Sequence, residues 1–178
     1  MREKTKSSRN FLLACFIGLL VVFSDGGFAE SRVFGGNLNL QKYGSGELRR
    51  FGFLVYEAQL WAGTNPTKPP IALQLTYKRD IAGVKIVNAS VDHMRDLGAS
   101  EQQLALWEPA MARIFPDVKP GDQIVGIYMP GAAKFLYNNR EVGQINDAEF
   151  ARFFFGIWLD PRTTEPMLRL RLLQSEAS

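Results

Sequence analysis

The chain has 178 residues, a formal net charge of +3, one histidine (His93) and one cysteine (Cys15). This composition excludes a zinc site built from several histidines or cysteines and a disulfide within the chain. The sequence contains no clustered basic surface, so we expect no nucleic-acid partner.

The N-terminal segment has the three parts of a secretory signal. Basic residues precede an unbroken apolar run over residues 11–23, and Gly27-Phe28-Ala29 has the small-residue spacing of a cleavage site. The pattern predicts a cleavable signal peptide, residues 1–29, and a periplasmic or secreted protein that begins at Glu30. A retained membrane anchor is the rival interpretation, although a bilayer core needs about 20 apolar residues. A lipoprotein modified at Cys15 is a further alternative.

Cleavage changes the composition of the mature domain. Residues 1–29 contain four basic and two acidic residues, so residues 30–178 carry a net charge of +1 and no cysteine. We expect one domain over residues 30–178, with no membrane span after cleavage and with stability supplied by its apolar core.

The mature chain begins with a predicted run of strands. Apolar and polar residues alternate over 38–40, and the Gly-Ser-Gly sequence at 44–46 is typical of a turn into a long strand over 48–61. Both faces of that strand are apolar in its middle, which indicates a central strand. A third strand is predicted over 71–77, where apolar residues alternate cleanly.

Two predicted helices follow these strands. Asp80 is a suitable N-cap for an amphipathic helix that ends before Gly98, a typical C′ glycine. Ser100 and Gln103 form a capping box for the second helix. His93 falls on the polar side of the first helix, where a solvated side chain is a simpler interpretation than a catalytic role.

The C-terminal half has strands and then helices again. Three strands are predicted, over 123–129, 134–137 and 142–145. Asn138-Asn139 joins the last two, and Asn146 with Glu149 forms a capping box for a third helix with an aromatic face. A short helix is predicted over 167–173. Because strands and helices are segregated, the predicted fold class is α+β: an antiparallel β-sheet with a layer of helices packed on one face.

Five blocks of sequence resemble one known family. In chain order they are GSGELR (44–49), FLVYEAQLW (53–61), LTYKRD (75–80), FPDVKPGD (115–122) and FFGIWL (154–159). These blocks resemble the bacterial secreted branch of the chalcone isomerase-like superfamily. The resemblance implies an open-faced sandwich with a ligand cleft between the sheet and the helices. Superfamily members include enzymes that cyclise chalcones, proteins that bind fatty acids, and non-catalytic helpers.

The resemblance does not extend to the catalytic residues of the enzymes. They use an arginine on an early strand, a tyrosine near the first helix, and a lysine and an asparagine further along that helix. Here the strand position falls around residues 42–44, which contain no arginine, and the helix start, 81–84, contains no tyrosine. Lys85 and Asn88 do not match the enzyme spacing. The resemblance therefore implies the fold but not the catalytic activity, and we expect neither a cofactor nor a metal.

Polar side chains beside apolar strands are candidates for a ligand site, because a small-molecule pocket needs an apolar cleft with a few convergent polar groups. The candidates, led by Arg79, are Arg49, Tyr56, Glu57, Tyr77 and Arg79. An alternative of equal weight is that these five residues are ordinary residues at strand edges. The leading functional hypothesis is a non-catalytic exported domain that binds an apolar or amphipathic small molecule such as a fatty acid. The alternatives are an isomerase of the intramolecular lyase type and an envelope adaptor that binds a protein partner through its helix faces.

Overall fold

The computed structural model describes residues 30–35 and 37–174. In chain order its elements are β1 (Ser31–Phe34), β2 (Leu38–Arg50), β3 (Phe53–Ala62), β4 (Ile71–Tyr77), α1 (Gly83–Asp96), α2 (Glu101–Ala112), β5 (Gln123–Met129), β6 (Ala132–Tyr137), β7 (Arg140–Ile145), α3 (Ala148–Leu159) and α4 (Pro166–Leu172). The strands form one sheet in the order β1 to β7, with every neighbouring pair antiparallel. Within the described ranges, no helix is long and apolar enough to cross a membrane. The predicted signal peptide lies outside them.

The predicted α+β class is confirmed. One face of the sheet and all four helices bury their apolar side chains in a single cluster. The sheet contributes Leu60, Leu75 and Phe135, and the helices contribute Val91, Leu104, Phe154 and Leu168 among others. Alternation along each strand places one set of side chains on this helix-covered face and the other set on the opposite face.

The sheet curls, and its opposite face holds a second, smaller apolar cluster. Phe34, Trp61 and Val125 belong to this cluster, with Phe34 and Trp61 in edge-to-face contact at a centroid distance of 5.5 Å. Arg32 on β1 hydrogen-bonds to the side chain of Gln74 on β4, which is not a sheet neighbour of β1. The curl therefore covers part of the face that has no helices.

Gly44 and Gly46 lie inside β2, so the turn predicted there is wrong. The chain turns at Phe51-Gly52 instead, with φ of +51° and +82°. Helix α4 crosses β2 at these two glycines. A Cβ on Gly44 would lie 2.4 Å from the carbonyl oxygen of Leu172, and one on Gly46 would lie 2.7 Å from Leu168 Cδ1. They are glycines because the helix approaches closely, not because the chain reverses.

The start of α1 also differs from the prediction. The N-cap residue is Ala82 rather than Asp80, and no side chain of its own caps the helix. The carboxylate of Asp117, from the segment before β5, instead accepts a hydrogen bond of 2.8 Å from the backbone N–H of Gly83. A residue distant in sequence thus supplies the cap that Asp80 was expected to provide.

The other local signals have mixed outcomes. The capping box of Ser100 and Gln103 at the start of α2 is confirmed, and so is the tight turn at Asn138-Asn139, where both φ angles are positive. The cap of α3 is Asp147 rather than Asn146, and its carboxylate accepts hydrogen bonds from two backbone N–H groups of the first turn. The helix caps thus differ from the prediction by one or two residues, whereas the strands differ more: β1 was not predicted, and the predicted strand over 48–61 is divided between the end of β2 and β3.

Candidate ligand-binding cavity

A cavity of about 230 Å³ lies between the sheet and the helices. Strands β2, β3 and β4 form one wall, while α1 and α3 form the other. Its apolar lining is Leu48, Val55, Leu75, Ile81, Ile86 and Ile157. These side chains lie on the helix-covered side of the fold and pack against the main core, while the exposed residues Arg50 and Lys85 mark where the cavity opens to solvent.

Two tyrosines line the sheet wall of the cavity. Tyr56 on β3 and Tyr77 on β4 are directly opposite each other in the strand pairing, and their rings meet edge to face at 5.9 Å. Burial raises the pKa of both hydroxyls well above the usual value for tyrosine. Both side chains are therefore neutral at physiological pH and can donate a hydrogen bond.

The hydroxyl of Tyr56 accepts a hydrogen bond from another lining residue. Trp158 on α3 donates a hydrogen bond of 2.9 Å from its indole Nε1 to Tyr56 Oη. This bond uses one acceptor site of the hydroxyl and leaves its proton available. Tyr77 Oη has no hydrogen bond to any described residue, so its proton is also available for a hydrogen bond.

Charged groups gather where the cavity opens. Arg50 and Lys85 contribute two cations, and both are solvent-exposed residues that also line the cavity. Arg50 Nη2 donates a hydrogen bond to Glu165 Oε1, and this contact raises the pKa of the guanidinium above its usual value. Lys85 forms no ion pair with any described residue. The opening thus carries two cations and one carboxylate.

The segment before α4 closes one side of this opening. Thr164 Oγ1 lies 3.2 Å from His93 Nδ1 on α1, and the adjacent Glu165 contacts Arg50 at the end of β2. Thr163 anchors the segment through a hydrogen bond from its hydroxyl to the carbonyl of Ile157. One short stretch of chain therefore bridges the helix wall and the sheet wall.

The structure separates the five residues predicted from the sequence. Tyr56 and Tyr77 line the cavity together. Arg49 lies outside the lining and forms an ion pair of 2.9 Å with Glu47.

Glu57 and Arg79 also lie outside the cavity lining. Glu57 forms an ion pair of 2.9 Å with Lys78. The guanidinium of Arg79 stacks over the ring of Phe53 at 4.7 Å and borders a separate surface groove. Of the two, only Arg79 retains a charge without an ionic partner among the described residues.

Arg50, Trp158 and Glu165 line the cavity but are not among the five predicted site residues. The pairing of Leu48 with Tyr56 puts Leu48 on the cavity side of β2, so alternation puts Arg50 there and Arg49 on the other side. The prediction of a turn at 44–46 does not give this alternation, because it leaves the true register of β2 against β3 undefined. No sequence pattern indicated that Glu165 approaches Arg50.

A family model described as chalcone isomerase-like matches residues 28–174. The chain belongs to the chalcone isomerase-like family. Among sequence relatives of this family member, an uncharacterised protein of Haemophilus influenzae is 27% identical over 161 residues, which cover 89% of this chain and 75% of the relative.

A solved structure has the same fold as this member of the chalcone isomerase-like family. It is a fatty-acid binding protein of Arabidopsis thaliana, with a TM-score of 0.58 and 14% sequence identity. The match covers 81% of this chain and 96% of the plant protein. At this identity the likeness establishes the open-faced sandwich alone.

Proposed function

We propose that this protein binds an amphipathic carboxylic acid, such as a fatty acid, in the cavity between the sheet and the helices, without catalysing a reaction. The observation that carries the proposal is an apolar cavity with two buried tyrosine hydroxyls inside and Arg50 at its opening. An amphipathic acid matches this distribution of apolar and cationic groups. The Arabidopsis neighbour is a fatty-acid binding protein, which supports the same ligand class.

The apolar lining sets the expectation for the tail of the ligand. Each methylene group that leaves water contributes about 0.8 kcal/mol. The cavity, of about 230 Å³, can bury only part of a long chain. Affinity should therefore rise with chain length and level off once the tail fills the cavity.

The opening sets the expectation for the head group. A carboxylate that replaces Glu165 at Arg50 gains charge-assisted hydrogen bonds from the guanidinium. Lys85, which has no ionic partner among the described residues, adds a second cation nearby. The neutral tyrosine hydroxyls supply hydrogen-bond donors deeper in the cavity. This arrangement favours an acid over the corresponding alcohol.

The adjacent arginines of β2 provide a matched test of the head-group site. Calorimetric titration with a series of straight-chain acids should show saturable binding to the wild type. Arg50→Ala should weaken binding about tenfold or more, the scale of a lost hydrogen bond to a charged group. Arg49→Ala removes the same charge one residue away, outside the cavity, and should change affinity less than about twofold. Equal effects of the two substitutions, or no binding of any acid by the wild type, would overturn the proposal.

The proposal includes export to the periplasm or the exterior, where the protein would meet its ligand. It is supported by the N-terminal pattern of basic residues, apolar run and small residues over 1–29. N-terminal sequencing of the protein from an extracytoplasmic fraction should give Glu30 as the first residue. Finding Met1 on all of the protein, in the cytoplasm or in a membrane, would contradict export by cleavage.

A further inference from the structure

The hairpin between β2 and β3 ends in two exposed aromatic rings. Phe51 is 98% exposed and Phe53 is 61% exposed. Phe51 and Gly52 form the turn itself, and no heavy atom lies within 4 Å of the position that a Cβ on Gly52 would take. The tip is therefore a narrow projection from the protein surface, with apolar side chains where a hairpin turn usually carries polar ones.

Phe51 is an unfavourable choice for its own backbone conformation. Its φ of +51° is in the left-handed region, which asparagine and glycine occupy readily and a bulky residue does not. Packing of the side chain does not offset this conformational cost, because the side chain buries almost none of its surface. A strained turn residue whose side chain adds nothing to the core indicates a role outside the chain.

Among the described charged residues around the tip, Arg79 is a cation without an ion pair. Arg79 stacks over Phe53 at 4.7 Å and has no ion pair with any described residue. Its neighbour Lys78 is paired with Glu57, whereas Asp80 forms no described ion pair and offsets part of the positive charge. The guanidinium of Arg79 and the rings of Phe51 and Phe53 thus form a small amphipathic surface, which we call the hairpin tip.

We propose that the hairpin tip docks the protein on the surface of a phospholipid bilayer. The rings of Phe51 and Phe53 enter the boundary between head groups and acyl chains, while Arg79 contacts lipid phosphates. The proposal goes beyond ligand binding and holds whether or not the cavity takes an acid.

A bilayer fits this surface better than a protein partner does. Stable protein interfaces bury about 800 Å² on each partner, and two projecting rings supply only a small part of that area. A bilayer accepts a narrow apolar projection without a complementary shape. The same hairpin also carries Arg50 and Val55, which line the cavity, so docking would place the cavity opening close to the membrane surface.

Vesicle co-sedimentation tests the proposal, with phosphatidylcholine vesicles prepared with and without phosphatidylglycerol. All proteins share the same N terminus, so any contribution from residues 11–23 is common to them. Phe51→Asn should reduce the partition coefficient about tenfold or more, while the fold is retained because asparagine suits a positive φ. Leu106→Asn is the matched control, since Leu106 on α2 is 72% exposed and lies on a different element. It should change partitioning less than about twofold.

The charge contribution is tested separately. Arg79→Gln should lower partitioning into vesicles that contain phosphatidylglycerol about fivefold, the scale of one basic residue near an anionic surface. Arg113→Gln, at an exposed arginine after α2, is its control. Failure of the wild type to co-sediment with either vesicle type would overturn the proposal. Partitioning of a folded Phe51→Asn protein that equals that of the wild type would overturn it as well.

Discussion

The indole of Trp158 donates its hydrogen bond to the hydroxyl of Tyr56, and this 2.9 Å contact joins α3 to β3 in the lining of the candidate cavity. Both side chains are more than nine-tenths buried. A buried donor that loses its acceptor retains the full cost of desolvation. The bond therefore contributes to the stability of the fold as well as to the shape of the cavity.

Tyr56→Phe should lower the free energy of unfolding by about 1–3 kcal/mol, because Trp158 Nε1 is left buried without its acceptor. Tyr77→Phe is the matched control, since the hydroxyl of Tyr77 has no hydrogen bond to a described residue. Its replacement should be close to neutral. Urea unfolding of the three proteins measures both effects. A loss for Tyr77→Phe as large as that for Tyr56→Phe would refute the assigned role of the hydrogen bond.

Glu165→Gln should strengthen the binding of a carboxylic acid, because Glu165 holds Arg50 and repels a second carboxylate. In a largely aqueous opening, one like charge at about 4 Å is equivalent to roughly 1 kcal/mol, or about fivefold in affinity. The alcohol of the same chain length should bind the two proteins equally. Glu149→Gln, which removes an exposed partner of Arg152 on α3, is the control. Unchanged or weaker binding of the acid by Glu165→Gln would show that the two carboxylates do not compete.

Gly44→Ala should destabilise the fold by about 1–3 kcal/mol or more, as expected for forcing an extra carbon into a packed site. The added Cβ would lie 2.4 Å from the backbone oxygen of Leu172, which cannot rotate away as a side chain can. Gly63→Ala is the matched control, because no heavy atom lies within 4 Å of its Cβ position. Thermal or urea unfolding should separate the two variants clearly. Similar stability for both would mean that α4 does not pack on β2 as described.

Asp122 makes the stability of the fold depend on pH in the acidic range. Hydrogen bonds from the side chain of Asn138, the backbone N–H of Lys119 and the hydroxyl of Tyr137 lower the pKa of Asp122 from its usual value. Since the folded-state pKa lies below the unfolded one, the carboxylate stabilises the native state above the unfolded pKa of about 3.9. That stabilisation is lost as the pH falls through the folded pKa.

Asp122→Asn should therefore be less stable than the wild type near neutral pH, and the difference should narrow below about pH 4. Urea midpoints measured across this range follow the change. Asp96→Asn serves as the control, because the exposed side chain of Asp96 makes no hydrogen bond or ion pair with any described residue. A gap between Asp122→Asn and the wild type that stays constant into acid would contradict the assignment.

Local patterns predicted the elements well where the cause is local. The capping box at Ser100 and the turn at Asn138-Asn139 depend on neighbours in the sequence, and both are confirmed. Gly44 and Gly46 misled the prediction because their cause is tertiary: α4 packs against them. The true turn was missed because a phenylalanine seldom occupies the left-handed region.

The structure likewise places some of the predicted site residues in the cavity lining and others outside it. Five polar residues beside apolar strands were predicted as site residues, and the structure brings only Tyr56 and Tyr77 of these together on one wall of the cavity. Choosing Arg50 over Arg49 required the register of β2 against β3, and that register depends on the position of the turn. Glu165 reaches the site only through the path of the chain between α3 and α4, which no periodic pattern encodes.

The chain-order arrangement of the strands has a consequence for folding kinetics. Pairings within β1–β4 and within β5–β7 close short loops, whereas the β4–β5 pairing must wait until the segment containing α1 and α2 has brought its two ends together. Loop closure over a longer separation has the larger entropic cost and slows folding. We therefore expect two independently nucleating meanders, whose union at β4–β5 limits the rate. The docking of α4 on β2 joins the most distant parts of the described chain, so it should come last, and the cavity opening beside Glu165 should be the final part of the molecule to assemble.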